Sequence, residues 1–336
     1  MGPKKGKKGK GKGNEEEENP TENFFGLYKK CCKEFESIPS ATLLNKVEEA
    51  LDEGEDLQEI LINEKIGEFG ARALCKALQN STKDNKGFPI LKALRIWEAD
   101  IGDEGVRAIH QFIINTNNAS IGLIELLNCN IGPLGCEFIS RVFEPSLPGN
   151  IQILTLDYNV FGNEGLSNLL TYLPMNATLT FLSLSYCGID EKGVQFFEKY
   201  ITNTKVLEKL VLMGNPIKDE GVNYLCSYLL NNTSVEEVNL NNVSFGISED
   251  TINKLTFLLE NNKNIMIYHC KFNLITEKNF LNIIQSLKSE NGKHIYQFNA
   301  DEKYTKETFD LYFKAMKGRK LKKKKKGKKG KKKKKY

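Results

Sequence analysis

The segments LKALRIWEADIGDEG (Leu91–Gly105), IGLIELLNCNIGPLG (Ile121–Gly135), IQILTLDYNVFGNEG (Ile151–Gly165), LTFLSLSYCGIDEKG (Leu179–Gly193) and LEKLVLMGNPIKDEG (Leu207–Gly221) share one pattern, LxxLxLxx(N/C/A)x(I/F)xxxG. Further copies start at Val235 (VEEVNLNNVSF) and Ile265 (IMIYHCKFNLI), and a degenerate first copy runs from Leu57 to Gly70. The equivalent apolar residues are Ile66, Ile101, Ile131, Phe161, Ile189, Ile217, Phe245 and Ile275, spaced by 35, 30, 30, 28, 28, 28 and 30 residues. A fixed period over this length is the signature of a repeat architecture.

The LxL alternation predicts a short strand with its leucines inward. The second half of each copy carries helical spacing, as in Gly105, Val106, Ile109, Phe112 and Ile113. Neither half buries its apolar face alone, so the copies must stack. The predicted fold is one α/β solenoid, a horseshoe with a parallel sheet on the concave side and helices on the convex side. The Asn or Cys after each strand is placed to bond backbone where the chain turns. The sixth copy has Glu249 in place of the glycine and two extra residues, which predicts a late helix start. The seventh has Asn279 there.

The pattern resembles the leucine-rich repeat in its long, ribonuclease-inhibitor-like form of about 28 residues. Five segments follow from it: a basic and acidic tail (1–20), an N-terminal helical cap (21–56), about eight repeats (57–292), a C-terminal cap (293–317) and a polylysine tail (318–336). In the first cap Phe24, Leu27, Cys31 and Phe35 form one helix face, and Leu43, Leu44, Val47 and Leu51 another after Pro39-Ser40. In the last, Ile295, Tyr296 and Phe298 read as a strand, with Phe309, Tyr312, Phe313 and Met316 as one face of a helix that Thr305 caps.

Charge is unevenly placed. Lysines and arginines at 1–13 and 318–336 make up 20 of the 48 basic residues, leaving 28 against 43 acidic residues and a net of −15 elsewhere. A uniformly basic nucleic-acid-binding fold is therefore excluded. The start, MGPKKGKKGKGKG, has no apolar stretch and does not read as a secretory signal. No run approaches a membrane span, so a cytosolic-side protein is expected, with its eight cysteines as thiols. No HExxH, CxxC or phosphate-binding glycine loop occurs, so no catalytic residue, cofactor or metal is expected.

What the sequence does offer is a face and two tails. The residues between the strand leucines alternate away from the core in three columns. The first reads Ala93, Leu123, Ile153, Phe181, Lys209, Glu237 and Ile267; the middle reads Arg95, Glu125, Thr155, Ser183, Val211, Asn239 and His269; the third reads Trp97, Leu127, Asp157, Ser185, Met213, Asn241 and Lys271. The expected protein-binding residues are Trp97, Leu123, Leu127, Ile153, Tyr158, Phe181, Tyr186 and Met213. In the tails, Lys4, Lys5, Lys7, Lys8, Lys322, Lys323, Lys324, Lys325, Lys326, Lys328 and Lys329 suit a polyanion without defined geometry. Tubulin's acidic tails come first and nucleic acid second, because no aromatic residues are interleaved for stacking; a membrane is not expected.

The lysine–glycine start ahead of such repeats, with Tyr28, Cys31 and Pro39 in the first cap, is similar to leucine-rich repeat proteins of cilia and flagella, including that of the nexin–dynein regulatory complex. That resemblance implies a non-catalytic scaffold in the cytoskeleton of the axoneme, among other proteins of a larger complex. Two alternatives stand beside it. One is a regulator of a small GTPase, as in the Ran GTPase-activating proteins, which end in acidic rather than basic residues. The other is a nuclear or nucleolar protein.

Overall fold

A computed structural model describes residues 19–82, 87–116, 120–147 and 149–320. The chain opens with two helices, α1 (Pro20–Glu34) and α2 (Ala41–Glu53), then alternates strand and helix. The strands are β1 (Glu59–Ile62), β2 (Ala93–Trp97), β3 (Leu123–Leu127), β4 (Ile153–Thr155), β5 (Phe181–Ser183), β6 (Lys209–Val211), β7 (Glu237–Asn239), β8 (Ile267–His269) and β9 (Gln297–Asn299). The helices between and after them are α3 (Gly67–Gln79), α4 (Gly102–Thr116), α5 (Pro133–Arg141), α6 (Gly162–Leu169), α7 (Phe197–Asn203), α8 (Lys218–Leu229), α9 (Glu249–Asn261), α10 (Glu277–Lys288) and α11 (Lys306–Met316). All nine strands form one parallel sheet in chain order. A parallel neighbour requires a crossover, and each repeat's own helical half supplies it. This is the α/β solenoid expected from the period.

The core is a single continuous cluster. Leu94, Ile124, Leu154, Leu182, Leu210, Val238, Tyr268 and Phe298 stack along the inner face of the sheet, and Ile101, Ile131, Phe161, Ile189, Ile217, Phe245 and Ile275 stack behind them. The glycine of each early repeat is explained by crowding. A Cβ on Gly165 would lie 2.5 Å from Cβ of Phe161, and one on Gly221 would lie 2.4 Å from Cγ2 of Ile217. In both copies the helix starts directly after the core residue. In the sixth copy it starts later, at Glu249 after the cap Ser248, and a side chain is then tolerated. In the seventh, Asn279 follows the cap Thr276 and its amide donates to the carbonyls of Gly246 and Ile247.

The turns off the strands are held by a buried amide ladder. Oδ1 of Asn159 accepts from the backbone N–H of Cys129 (2.8 Å) and Ile131 (3.1 Å), and its Nδ2 donates to the carbonyls of Leu126 (2.7 Å) and Leu156 (2.8 Å). Asn215 repeats the arrangement on Cys187, Ile189, Leu184 and Leu212. Asn273 does so on Val243, Leu240 and Cys270. Cys129 and Cys187 alternate with these asparagines and donate S–H to carbonyls of the preceding copy, Ile96 and Leu156.

Three expectations need correction. The second halves are not uniformly helical: α6 and α7 are short, and the short 3₁₀ turns Leu173–Met175 and Gly193–Phe196 take over part of the span. In the first of these copies Pro174 cannot continue a helix begun upstream. On α11, Leu311, Tyr312, Ala315 and Met316 pack on the core, while Phe313 is 58% exposed; the aromatic stripe is wider than the surface it covers. Finally, Arg319, placed in the tail by sequence, belongs to the fold: its guanidinium donates to the carbonyls of Leu287, Gly292, Ile295 and Ala315. The tail lysines 4, 5, 7, 8, 322–326, 328 and 329 lie outside the described residues.

Asn159→Ala strands two buried N–H groups and two carbonyls, at about 1–3 kcal/mol for each group left unpaired. Urea denaturation should show a loss of several kcal/mol, against about 1 kcal/mol for Cys129→Ala; equal losses would mean that the ladder is not what holds the turns.

Candidate functional site: the concave face

Strand pairing places the first and middle columns in the predicted register and, of the third, its first pair; Thr155, Ser183, Val211 and Ser185 of these columns are buried rather than open. Ala93, Leu123, Ile153, Phe181, Lys209, Glu237 and Ile267 are successive Cα partners, as are Arg95, Glu125, Thr155, Ser183, Val211, Asn239 and His269. Trp97 pairs with Leu127. Leu123, Ile153 and Phe181 therefore lie side by side on three neighbouring strands, each half-buried. Trp97, Leu127 and Met213 are also half-buried. The indole Nε1 of Trp97 is buried and, among the described residues, has no hydrogen-bond partner.

The third column continues onto the rim where the chain leaves each strand. Tyr158 and Tyr186 hold positive φ (64° and 56°) and stack, with centroids 4.9 Å apart and planes 8° from parallel. Tyr158 is 52% exposed. Tyr186 in turn lies on Gly214, where a Cβ would stand 2.3 Å from its ring. Beside Tyr158 runs an open groove of about 840 Å³ lined by Glu98, Asp100, Asp103, Asn128, Asn130 and Val160, among others. Val160, at 80% exposure, was not selected by sequence. Its position follows the Asn of the ladder and points out of the turn, which only the backbone course reveals.

Charged pairs bracket the apolar strip on both sides. Toward β1, Arg95 contacts Glu59 (2.6 Å) and Glu125 (3.0 Å), and Lys46 of α2 reaches Glu59 (2.7 Å). The hydrogen bond from Lys46, then its charge and that of Arg95, hold the Glu59 carboxyl below the ordinary range against the opposing effect of burial. Toward β9, Glu237 takes Lys209 (2.8 Å) and Nε2 of His269 (2.9 Å), and Nδ1 of His269 faces Nδ2 of Asn299 at 2.7 Å. The ammonium of Lys209 also sits 5.3 Å from the Phe181 ring centroid. His269 is thus on the concave face as expected, held between a carboxylate and an amide.

The cysteines are not part of this face. All eight are free and buried. Burial pushes the Cys129 thiol up to about 11 and those of Cys75 and Cys226 to about 12, so none is ionised near neutral pH. Among the described residues no three His, Cys, Asp or Glu side chains converge on a metal position. Nor is any helix there long and apolar enough to cross a membrane.

A family model for the leucine-rich repeat matches residues 176–197 and 205–226, which lie in the copies that carry β5 and β6. This is a leucine-rich repeat protein. A search of curated proteins finds no match. Among solved structures, the chain is similar to the tropomodulin C-terminal domain of Caenorhabditis elegans, at 14% identity and a TM-score of 0.39, over 48% of this chain and 95% of that one. It is also similar to leiomodin-1 actin-binding site 2, at 16% identity and a TM-score of 0.38, over 48% and 89%.

Because Phe181 is half-buried on an open face, Phe181→Ala should lower stability by about 1 kcal/mol, well below the 3–5 kcal/mol of a fully buried Phe. A thermal melt of this leucine-rich repeat protein that showed the full core-sized loss would place Phe181 inside the packing rather than on the face.

Proposed function

We propose that this protein is a non-catalytic interaction scaffold that docks another protein on its concave strip, within a microtubule-based assembly such as the ciliary or flagellar axoneme. The docking half is supported by one observation above the rest. Leu123, Ile153 and Phe181 stand in register on adjacent strands; further along the neighbouring strand, beyond the Arg95–Glu125 pair and level with Leu127, the indole N–H of Trp97 lacks an acceptor among the described residues. A buried Trp N–H normally finds a partner; this one is covered by the protein's own atoms, so an acceptor on a bound segment reaches it only if the ring turns outward on binding. The flanking charges are already paired with each other, so they contribute specificity at the ends of the strip more than affinity. The rigid Tyr158–Tyr186 stack extends the same surface at low entropic cost.

The microtubule half is supported by charge alone. The lysines of 1–13 and 318–336 flank a body with a net of −15, so attraction to an acidic polymer has to come from them. Lysine-only contacts act through charge and counterion release and weaken with salt.

Two measurements test the two halves separately. Phe181→Ala combined with Trp97→Ala should weaken capture of a concave-face partner at least tenfold while the circular dichroism spectrum is unchanged; in the parent chain, the one tryptophan should also shift its emission to the blue when the strip is covered. Unchanged capture by the folded double variant would remove the strip from the interface. In microtubule co-sedimentation, full-length protein should pellet at low salt and lose most binding when residues 320–336 are deleted or when tubulin's acidic tails are trimmed. Pelleting that survives both, at about 0.5 M salt, would show that the folded body docks directly.

A further inference from the structure

The concave face is not level. Across β4, β5 and β6 the middle column is Thr155, Ser183 and Val211, all short and buried. On one side of it Ile153, Phe181 and Lys209 stay half-buried, and on the other side so do Asp157 and Met213. Short side chains between taller ones leave a trough that runs across the strands. Along β4 its two walls, Ile153 and Asp157, are four residues apart, about 13 Å at roughly 3.3 Å per residue. Behind the buried Ser185, the Tyr158–Tyr186 stack completes the far wall. Paired groups close the middle column at both ends. The Arg95–Glu125 pair fills it at β2 and β3, and His269, bonded to Glu237, fills it at β8.

These dimensions match a helix. An α-helix with its side chains is about 10–12 Å across, which fills a floor about 13 Å wide. An extended segment needs only about 4.8 Å beside a neighbour and would leave most of the floor uncovered. Along the trough, a helical turn rises about 5.4 Å and a strand spacing is about 4.8 Å, so one turn meets one copy. Over Leu123, Ile153 and Phe181 the mismatch grows to only about 1 Å. From Glu125 on β3 to His269 on β8 there are five strand spacings, about 24 Å, the length of about sixteen helical residues. Charge adds one further requirement. Oδ1 of Asp157 accepts from the hydroxyl of Ser183 and the backbone N–H of Ser185, both at 2.7 Å, and among the described residues no cation pairs with this carboxylate.

We infer that the partner of the concave strip presents an amphipathic α-helix, laid across the strands in this trough. Its apolar side chains, one per turn, rest on Leu123, Ile153 and Phe181, and one basic side chain meets Asp157. The inference rests on the docking reading above and deepens it by naming the partner's local structure and the pattern of its contact face. A helix with an acidic contact face is disfavoured, because it would meet Asp157 with like charge. A nucleic-acid strand fits less well still, since it brings neither a row of apolar groups nor a cation. The paired groups at Glu125 and His269 set the ends of the helix, because a longer one would have to ride over them.

Two peptides of identical composition, each of about sixteen residues, test this against the full chain. In one, leucines recur at i, i+4, i+7 and i+11 with one arginine beside them; in its isomer the leucines alternate. By calorimetry the first should bind at least tenfold more tightly than the isomer, and its circular dichroism should gain helical signal on binding. Asp157→Asn keeps an oxygen for Ser183 and Ser185. It should weaken the arginine peptide about fivefold and leave the same peptide with glutamine for arginine unchanged. Equal binding of the two isomers, binding without helical signal, no binding of either, or an Asp157→Asn loss that is the same with glutamine overturns the inference. Phe181→Ala separates it from the reading on which it rests. Equal binding of both isomers that Phe181→Ala removes keeps the strip and overturns the helix. Binding of the helical peptide that survives Phe181→Ala overturns the strip and the inference together. With no binding of either peptide, the strip still stands or falls on its own double variant.

Discussion

One buried amide, recurring at Asn159, Asn215 and Asn273, ties the turn of its own copy to the turn of the copy before. Backbone groups that leave a strand lose their ladder partners, and inside a protein an unpaired N–H or C=O costs free energy comparable to a lost hydrogen bond. A side chain with two donors and two lone pairs serves two copies at once. Where Cys129 and Cys187 replace it, the thiol donates to a carbonyl of the copy before and to one of its own copy but accepts no backbone N–H, and the neighbouring asparagine covers their backbone N–H groups. The alternation Cys–Asn–Cys–Asn from 129 to 215 is therefore sufficient, and it locks each copy to its neighbour with no slip. A slip of one residue would turn every strand side chain to the opposite face. The concave columns exist only because this register is held.

That dependence explains which features are legible in the sequence. The period and the LxL alternation decide which residues are inside, and Leu94, Ile124, Leu154, Leu182 and Leu210 all are. The same alternation decides which residues share a column, so the grouping of Leu123, Ile153 and Phe181 follows from spacing alone. Partners across copies do not, because they depend on side-chain reach. Glu59 meeting Arg95, and Glu237 meeting both Lys209 and His269, join residues 28 to 36 positions apart. The exposure of Phe313 is hidden for a different reason. Helical spacing groups Phe309, Tyr312, Phe313 and Met316 on one stripe, but it does not say how wide the neighbouring helix is. The last helix of a solenoid has a neighbour on one side only, so part of an aromatic stripe can stay uncovered there.

The distribution of charge on the concave face follows from the same constraint. Parallel strands bring like columns together, so two lysines or two glutamates in adjacent copies would face each other about 4.8 Å apart. The sequence instead alternates sign where charge occurs, Glu59–Arg95–Glu125 at one side and Lys209–Glu237 at the other, where His269 adds a hydrogen bond to Glu237. Within each set every charge meets its opposite. Further charge lies on α2, around the groove at Glu98, Asp100 and Asp103, and in the lysines of 1–13 and 318–336.

On the docking reading proposed above, a strip whose flanking charges are paired and whose apolar groups are half-covered suits a partner that brings shape more than charge. Leu123, Ile153 and Phe181 already rest on their neighbours, so little side-chain freedom remains to be lost on binding, and that loss is a main cost of association. The segments with net charge act at longer range and with little geometric demand. A solenoid that keeps its rigid apolar face near electrostatic balance and carries its net charge at the ends separates recognition from attraction. Changes in salt then act on the ends, while the strip retains the same complementarity.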